Sequence, residues 1–423
     1  MKTNVLIFPA GEVLSVELHD ALATSVNINL FGASSINRHG PYIFKNYTSG
    51  LPLITDDNFL DKFNSLLLEK SIDLIFPSHD DVVTFFANNA DKIHAKVMAP
   101  DKETARICRD KALIYETFEG SDFLPQIYST ITEYPVFIKP RASQGGVGTM
   151  LIKKEADIPA DIDLNDYVLC EYLPGEEYSV DCLTDKNGRL IFVSPRSRNR
   201  IMAGITVSGE TETLTKEIQH IADELNSRLS FLGLWFFQIK KDNNEKWKLL
   251  EVAARCASTM GLTRARGVNL PLLSVYIAMG LDVSVIPNAY NVKMDRTLIS
   301  RYKIDYEFNN VYFDFDDTLI INGQVHPYSI MFIYQCQNAG KKVFLITKHA
   351  KEIYETLDKY HIDNNLFAEI IHLEVDDHKV SKINPDRAIF IDNAFSERKF
   401  VHDEYKIPVF DVDGIEVLLD WRT

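Results

Sequence analysis

The chain has 423 residues, 46% of them hydrophobic and 25% charged, and its 45 Lys and Arg against 60 Asp and Glu leave a net charge of −15. That length allows two or three domains with sizeable cores. The acidic balance argues against broad nucleic-acid or anionic-membrane binding and leaves small molecules as the expected partners. Cys108, Cys170, Cys182, Cys256 and Cys336 are scattered and lack CxxC spacing, which fits reduced thiols. No apolar run reaches the length of a membrane helix. The first one, Val5 to Phe8, lacks a signal-peptide pattern, so a cytoplasmic protein is expected.

Asn4 to Pro9 reads as a buried parallel strand, Leu14 to Ala23 as a helix and Val26 to Phe31 as a second strand. Asn58 to Lys70 has helical spacing with Phe59, Leu60, Phe63, Leu66 and Leu67 on one side, and Asp73 to Pro77 is a third strand. Strands alternating with helices predict a Rossmann-like α/β domain over residues 1–100. No glycine fingerprint follows the first strand, which argues against a dinucleotide site. His79, Asp80 and Asp81 either face a ligand at a strand end or cap the next helix.

The segment Phe137 to Met150, FIKPRASQGGVGTM, is the most informative stretch. An apolar strand delivers Lys139, a loop of small residues follows, and Leu151 and Ile152 resume the strand pattern. Such a hairpin tip brings bare backbone N–H groups close to an anion. It is neither a Walker A loop nor a GxGxxG turn. Further on, Tyr167 to Leu173 is a strand, Glu176 to Asp181 starts another, and Leu214 to Leu229 is helical. Gly233 to Lys240 and Lys246 to Val252 are strands carrying Gln238 and Glu251. Arg196, Arg198 and Arg200 alternate as same-face strand residues do, either to bind phosphate or substrate or as a solvated basic edge.

The order of Lys111 in its DK pair, IKPR with the glycine loop, CEYLPGEEYSVD, PRSR, WFFQ, EVAAR and RARGVNLP resembles the ATP-grasp superfamily over about residues 1–300. It looks closest to the branch of the carbamoyl phosphate synthetase large subunit and biotin carboxylase. The resemblance implies an α+β ATP-grasp domain at 101–305, with a mobile lid at about 112–172. It implies that Lys111 and Lys139 contact ATP phosphates while backbone groups near Gly145 and Gly146 close over them. Glu171, Tyr172 and Leu173 would lie along the adenine, and Glu177 would bind the ribose. Gln238 and Glu251 would hold Mg²⁺, with Mn²⁺ as an alternative, and Arg255 would stabilise the transferring phosphate. The family usually has Glu-x-Asn at the metal strand; here Ala253 stands in the Asn position and offers no oxygen ligand.

Asn310 to Phe313 is a new strand that ends in Asp314-Phe315-Asp316-Asp317-Thr318. Two carboxylates at i and i+2 converge on one site if the chain stays extended. Strands at Lys342 to Ile346 and Ala388 to Ile391 end at Thr347 and Asp392. The region 306–423 resembles the haloacid dehalogenase (HAD) phosphatase superfamily through DFDDT. That resemblance implies Asp314 as nucleophile, Asp316 as general acid/base, and Thr318 as loop support. Thr347 would bind phosphate, Lys379 (or its rival Lys382) would neutralise charge, and Asp314, Asp316 and Asp392 would ligate Mg²⁺. Asn393 replaces the second acid often found beside the last aspartate. No long insertion precedes Thr347, so a large cap is not expected.

The fold class that the pattern and the resemblances imply is α/β with an α+β ATP-grasp core. The expected activity is bifunctional: ATP-dependent ligation of a carboxylate to an amine through an acyl phosphate, plus a Mg²⁺-dependent phosphohydrolase. An ATP-grasp kinase, a carboxylating enzyme or a non-catalytic ATP-binding regulator are the alternatives. A homodimer is compatible with the sequence.

Overall fold

Apolar strands alternating with helices form the first layer, as their hydrophobic spacing dictates. The computed structural model describes residues 2–143, 146–159 and 162–422. Two units separate by internal contact, Met1–Leu298 and Ile299–Arg422. The boundary therefore falls earlier than the expected 305, and the expected 1–100 and 101–305 domains form one unit.

In the first unit, β1 (Thr3–Phe8), α1 (Val13–Leu22), β2 (Ile28–Ser34), the short α2 (Gly40–Ile43), β3 (Asn46–Ser49), α3 (Phe59–Glu69), β4 (Leu74–Pro77), α4 (Asp80–Asn88) and β5 (Lys96–Val97) alternate. The strands pair in parallel in the order β3-β2-β1-β4-β5. Chain order reverses between β1 and β4, which opens a crevice at their C-terminal ends. α3 buries Phe59, Phe63, Leu66 and Leu67, one face at helical spacing. Phe59 and Phe63 stack at 5.1 Å and meet Phe8 and Phe86 beneath the sheet.

Next come α5 (Lys102–Arg109), started by the Asp101 carboxylate accepting from Thr104 N, and α6 (Lys111–Thr117), capped by Asp110. Strands β6 (Ile127–Tyr128), β7 (Val136–Pro140), β8 (Met150–Ile152) and β9 (Tyr167–Glu171) make an antiparallel sheet in the order β6-β9-β7-β8. β7 and β8 are the two arms of the glycine hairpin, as the sequence predicts. β10 (Glu177–Thr184), β11 (Leu190–Ser197), the hairpin β12 (Arg200–Met202) and β13 (Ile205–Glu210), α7 (Lys216–Arg228), β14 (Gly233–Lys241) and β15 (Trp247–Ala253) follow. The larger sheet runs β11-β10-β14-β15. On one face, Ile218, Ile221, Ala222 and Leu225 of α7 pack with Val180, Trp235, Phe237 and Leu249.

The other face explains the single unit. α8 (Gly261–Ala265), α9 (Leu270–Ala278) and the last strand, β16 (Lys293–Asp295), complete it. Leu183, Leu234 and Phe236 from the larger sheet and Val275 from α9 share one buried cluster with Val5, Ile7, Leu18 and Leu22 of the parallel layer. A shared apolar core removes any reason for the two layers to separate.

The second unit contains β17 (Asn310–Phe313), the two-stranded β18 (Ile320–Ile321) and β19 (Gln324–Val325), and α10 (Pro327–Asn338). β20 (Lys342–Thr347), α11 (Ile353–Lys359), β21 (Glu369–His372), β22 (Ala388–Ile391), α12 (Phe395–Tyr405), β23 (Val409–Phe410) and α13 (Ile415–Leu418) complete it. Its sheet is parallel, in the order β21-β20-β17-β22-β23. Among the described residues, no helix is long and apolar enough to cross a membrane.

Candidate functional site

In the first unit a cavity of about 470 Å³ is lined by Lys111, Lys139, Gly146, Glu177, Gln238, Glu251 and Arg255. Each arrives from a separate element. Lys111 opens α6, Lys139 ends the hairpin's first arm, and Gln238 and Glu251 are cross-strand partners on β14 and β15. Gly146 and Gly148 have φ of +72° and +76°, conformations that favour glycine, and Gly146 lines the cavity. Gly145 lies outside the described residues.

The two lysines are both buried, which is costly for a cation unless it is paired or hydrogen-bonded. The Lys111 ammonium donates to the Ser143 carbonyl at 3.1 Å and the Ser143 hydroxyl at 3.3 Å. Burial pulls its pKa below the ordinary lysine value, with Glu251 opposing. The Lys139 ammonium donates to the Tyr115 hydroxyl and, at 3.3 Å, to the Leu250 carbonyl. Burial works against its charge as well, yet Tyr115, Cys170 and Glu251 outweigh burial and hold its pKa above the ordinary value.

Arg255 forks onto Asp80, with Nε at 2.5 Å and Nη2 at 2.8 Å from the two carboxylate oxygens. Burial pushes the Asp80 carboxyl up, but Arg255, Arg109 and His79 together bring it below the ordinary value. Asp80 thus both opens α4 and fixes a cavity residue, while the His79 ring accepts from Asp81 N as the cap of α4. The helix-cap reading of this segment is realised, and His79 also lines the cavity.

The alternating arginines have three different surroundings: Arg196 is buried, Arg198 lines the cavity and Arg200 is exposed. Arg196 is 1% exposed and forks onto Asp181 at 2.7 and 2.9 Å. Arg198 pairs with Glu177 at 2.7 Å, and Arg200 pairs with Asp295. Acidic partners on other strands absorb each charge, a pairing that periodicity alone does not reveal. Glu177 also meets Lys240 at 3.3 Å. Glu171, Tyr172 and Leu173 are not among the cavity's described lining: the Glu171 carboxylate accepts from Gln126 N, and Tyr172 lines a separate pocket with Tyr134 and Lys153.

Among the described residues, no three His, Cys, Asp or Glu side chains gather to hold a metal alone. Mg²⁺ is usually held by one or two carboxylates together with substrate phosphates. The side-by-side oxygens of Gln238 and Glu251 fit that donor count, whereas Ala253 adds none.

The second unit gathers another charged cluster where β17 and β22 end. The Lys379 ammonium donates to Asp314 at 2.6 Å and to Asp392 at 2.7 Å, and all three are buried. Thr318 donates to Asp314 at 3.0 Å. Burial raises the Asp314 carboxyl to about 6, with Lys379 lowering it and Asp392 raising it. Lys379 rather than Lys382 takes the position between the acids. Thr347 is fully buried at the end of β20, and its hydroxyl accepts from His349 N at 3.1 Å.

Asp316 has a partner of its own. β17 ends at Phe313, and Asp317, the residue after Asp316, has φ of +55°. The Asp316 carboxylate lies 3.0 Å from His349 Nδ1 and shares no partner with the Asp314 carboxylate among the described residues. Asp314 and Asp392 are the two carboxylates brought together, and two are enough for Mg²⁺ beside a phosphate. His349 and Tyr115 escaped sequence reasoning. Tyr115 had one available signal, its i+4 spacing from Lys111 on a helix.

Comparison with known proteins bears on the fold. The family described as "ATP-grasp in the biosynthetic pathway with Ter operon" matches residues 163–302. The biotin carboxylase domain dimer of Hydrogenobacter thermophilus 2-oxoglutarate carboxylase, solved with MgADP, ADP and bicarbonate, is similar with a TM-score of 0.56 at 17% identity, over 69% of this chain and 73% of that one. N5-carboxyaminoimidazole ribonucleotide synthetase from Thermotoga maritima gives 0.55 at 15% identity, over 73% and 83%. L-amino acid ligase from Bacillus licheniformis gives 0.52 at 14% identity, over 65% and 73%. A search of curated proteins returns no match. The chain thus carries an ATP-grasp fold, in line with the sequence resemblance.

Proposed function

We propose that the first unit binds ATP with Mg²⁺ and ligates a carboxylate to an amine. The supporting observation is the convergence of Lys111, Lys139, Gln238 and Glu251 on one cavity beneath the glycine hairpin. Lys111 and Lys139 would neutralise the phosphates, and the N–H groups near Gly146 would close over them. Gln238 and Glu251 would hold Mg²⁺, which would supply positive charge to neutralise the phosphates. The adenine is assigned to Glu171–Leu173: β9 pairs Val168 with Lys139 and Glu171 with Val136, which sets that segment three residues, roughly 10 Å, along the strand. Glu177 would then reach the ribose after exchanging its arginine contact.

In the reaction, a substrate carboxylate oxygen attacks the γ-phosphorus and ADP leaves. The amine nitrogen attacks the acyl carbon, inorganic phosphate leaves with the acyl–oxygen electrons, and the amine proton passes to solvent. Arg255, fixed by Asp80, would stabilise charge on the transferring phosphate. The crevice between β1 and β4 supports the acceptor end, since Val13, Leu14, Ser78 and His79 line the same cavity. The test is Mg²⁺-dependent ADP release across a panel of carboxylates and amines. ATP binding without turnover for any pair would favour a regulatory nucleotide-binding protein, a reading that Ala253 supports. ADP release with an acceptor phosphorylated or carboxylated as the final product would favour the kinase or carboxylating alternatives.

For the second unit, the Asp314–Lys379–Asp392 cluster at the ends of parallel strands favours a HAD-type phosphohydrolase. An Asp314 oxygen would attack phosphorus, expel an alcohol that Asp316 protonates, and the aspartyl phosphate would be hydrolysed by water. Asp314→Asn should abolish hydrolysis of an aryl phosphate; equal activity in both forms would sink the assignment. The five unpaired cysteines support a reducing, cytoplasmic setting.

A further inference from the structure

The Tyr115 hydroxyl sits where three parts of the phosphate-binding apparatus meet. It donates toward the Leu249 and Leu250 carbonyls at 3.3 and 3.2 Å, on the strand whose next residue is Glu251. It accepts from the Lys139 ammonium at the base of the hairpin. Its own helix, α6, begins with Lys111, one turn away at i−4. The ring is 5% exposed and packs with Ile114, Phe118 and Leu249. Burial raises the phenol to about 12, so at neutral pH it is an uncharged hydroxyl able to donate to a carbonyl and accept from an ammonium at once.

We propose that Tyr115 is a positioning residue for triphosphate binding: its hydroxyl fixes the Lys139 ammonium against β15 and so holds Lys111, Lys139 and Glu251 in one geometry. An ammonium has three N–H donors. Tyr115 and the Leu250 carbonyl take two of those of Lys139 on the protein side. That leaves the third for a ligand in the cavity that Lys139 lines. A lysine side chain left to itself has many rotamers, and losing that freedom in advance removes an ordering cost from ligand binding. Pinning β15 through the adjoining carbonyls sets the metal-side carboxylate in the same step.

This inference rests on the ATP-binding reading above. The experiment measures calorimetric affinities of the full chain for MgATP and for adenosine, in unmodified protein, Tyr115→Phe, Lys139→Ala and the double variant. Tyr115→Phe keeps the ring and removes only the hydroxyl, and a hydrogen bond to a charged group predicts about tenfold weaker MgATP binding. Adenosine affinity should be unchanged, because the ring's packing remains. In the Lys139→Ala background the Tyr115→Phe effect should vanish, since its partner is gone. An equal effect in both backgrounds, or an equal loss for adenosine, would overturn the positioning role and leave Tyr115 as packing alone. MgATP binding that Tyr115→Phe leaves intact would overturn it too, without touching the ATP reading. Failure of the unmodified chain to bind MgATP would overturn both. If Tyr115→Phe does not fold, Tyr115→His, which can offer Lys139 a ring nitrogen, carries the comparison, and additive losses with Lys139→Ala are the overturning result.

Discussion

Gln238 and Glu251 stand directly opposite each other across β14 and β15, with a register shift immediately after Gln238. Both side chains lie on the cavity wall, and Ala253 is buried opposite Phe236 in the same run of pairs. Two oxygen-bearing side chains on neighbouring strands suit a cation that takes its remaining ligands from phosphates and water. Glu251→Gln should therefore raise the Mg²⁺ concentration needed for half-maximal ATP binding by about tenfold or more, the scale of a weakened ligand shell. Gln238→Ala should cost less, because a neutral donor is lost rather than a charge. A Mg²⁺ titration that is the same for all three proteins would remove these residues from the metal role.

Asp80 and Arg255 form a largely buried pair, with side-chain exposures of 18% and 10%. Asp80→Asn leaves the guanidinium without its counter-charge, and breaking such a pair costs about 3 kcal/mol of stability. The pH dependence follows from the lowered Asp80 carboxyl. A carboxyl whose folded pKa lies below its ordinary 3.8 contributes stability that is fully present above that value. That contribution is lost as pH falls through the lowered folded value. The stability gap between Asp80→Asn and the unmodified chain should thus be constant from pH 5 to 8 (about the physiological range) and close only in acid. Denaturant titrations at several pH values check this, and a gap that closes near neutrality would contradict it.

Asp314 carries the opposite sign. Burial raises its carboxyl from the ordinary 3.8 to about 6, so ionising it costs the folded state free energy, and stability falls as pH rises through that interval. With both acids ionised, Asp314, Asp392 and Lys379 sum to one negative charge; Asp314→Asn makes the cluster neutral. The variant should be inactive as a phosphatase yet more stable at neutral pH, by on the order of 1 kcal/mol. A lower melting temperature for Asp314→Asn would show that its Lys379 contact outweighs the burial cost.

Gly148 and Gly188 separate backbone strain from crowding. Both have positive φ, +76° and +79°, but a Cβ at Gly148 would come within 2.8 Å of Pro140 Cγ, while one at Gly188 meets nothing within 4 Å. Alanine at either position costs about 1 kcal/mol in backbone terms. Gly148→Ala should in addition push the hairpin tip from Pro140, next to Lys139, and weaken ATP binding several-fold. Gly188→Ala should leave ATP affinity untouched, and equal affinity losses in the two variants would disprove the crowding argument.

The sequence by itself determined what local physics controls. The 3.6-residue apolar face of α3, the apolar strands β1, β4, β17, β20 and β22, and the glycine hairpin around Lys139 were all readable from spacing and residue type. The residue types suited to phosphate and Mg²⁺ were readable as well, since few side chains supply those charges and oxygens. Only the tertiary structure decided which charges remain available to a ligand. Arg196 faces Asp181 because β10 and β11 pair in one register, and Asp316 meets His349, 33 residues further along the chain. Asp80 reaches Arg255 across 175 residues of sequence. Such pairings depend on register and on long-range approach, and neither leaves a periodic trace in a single chain. The same holds for Tyr115, whose role lies in the carbonyls and the lysine that the fold brings around its hydroxyl.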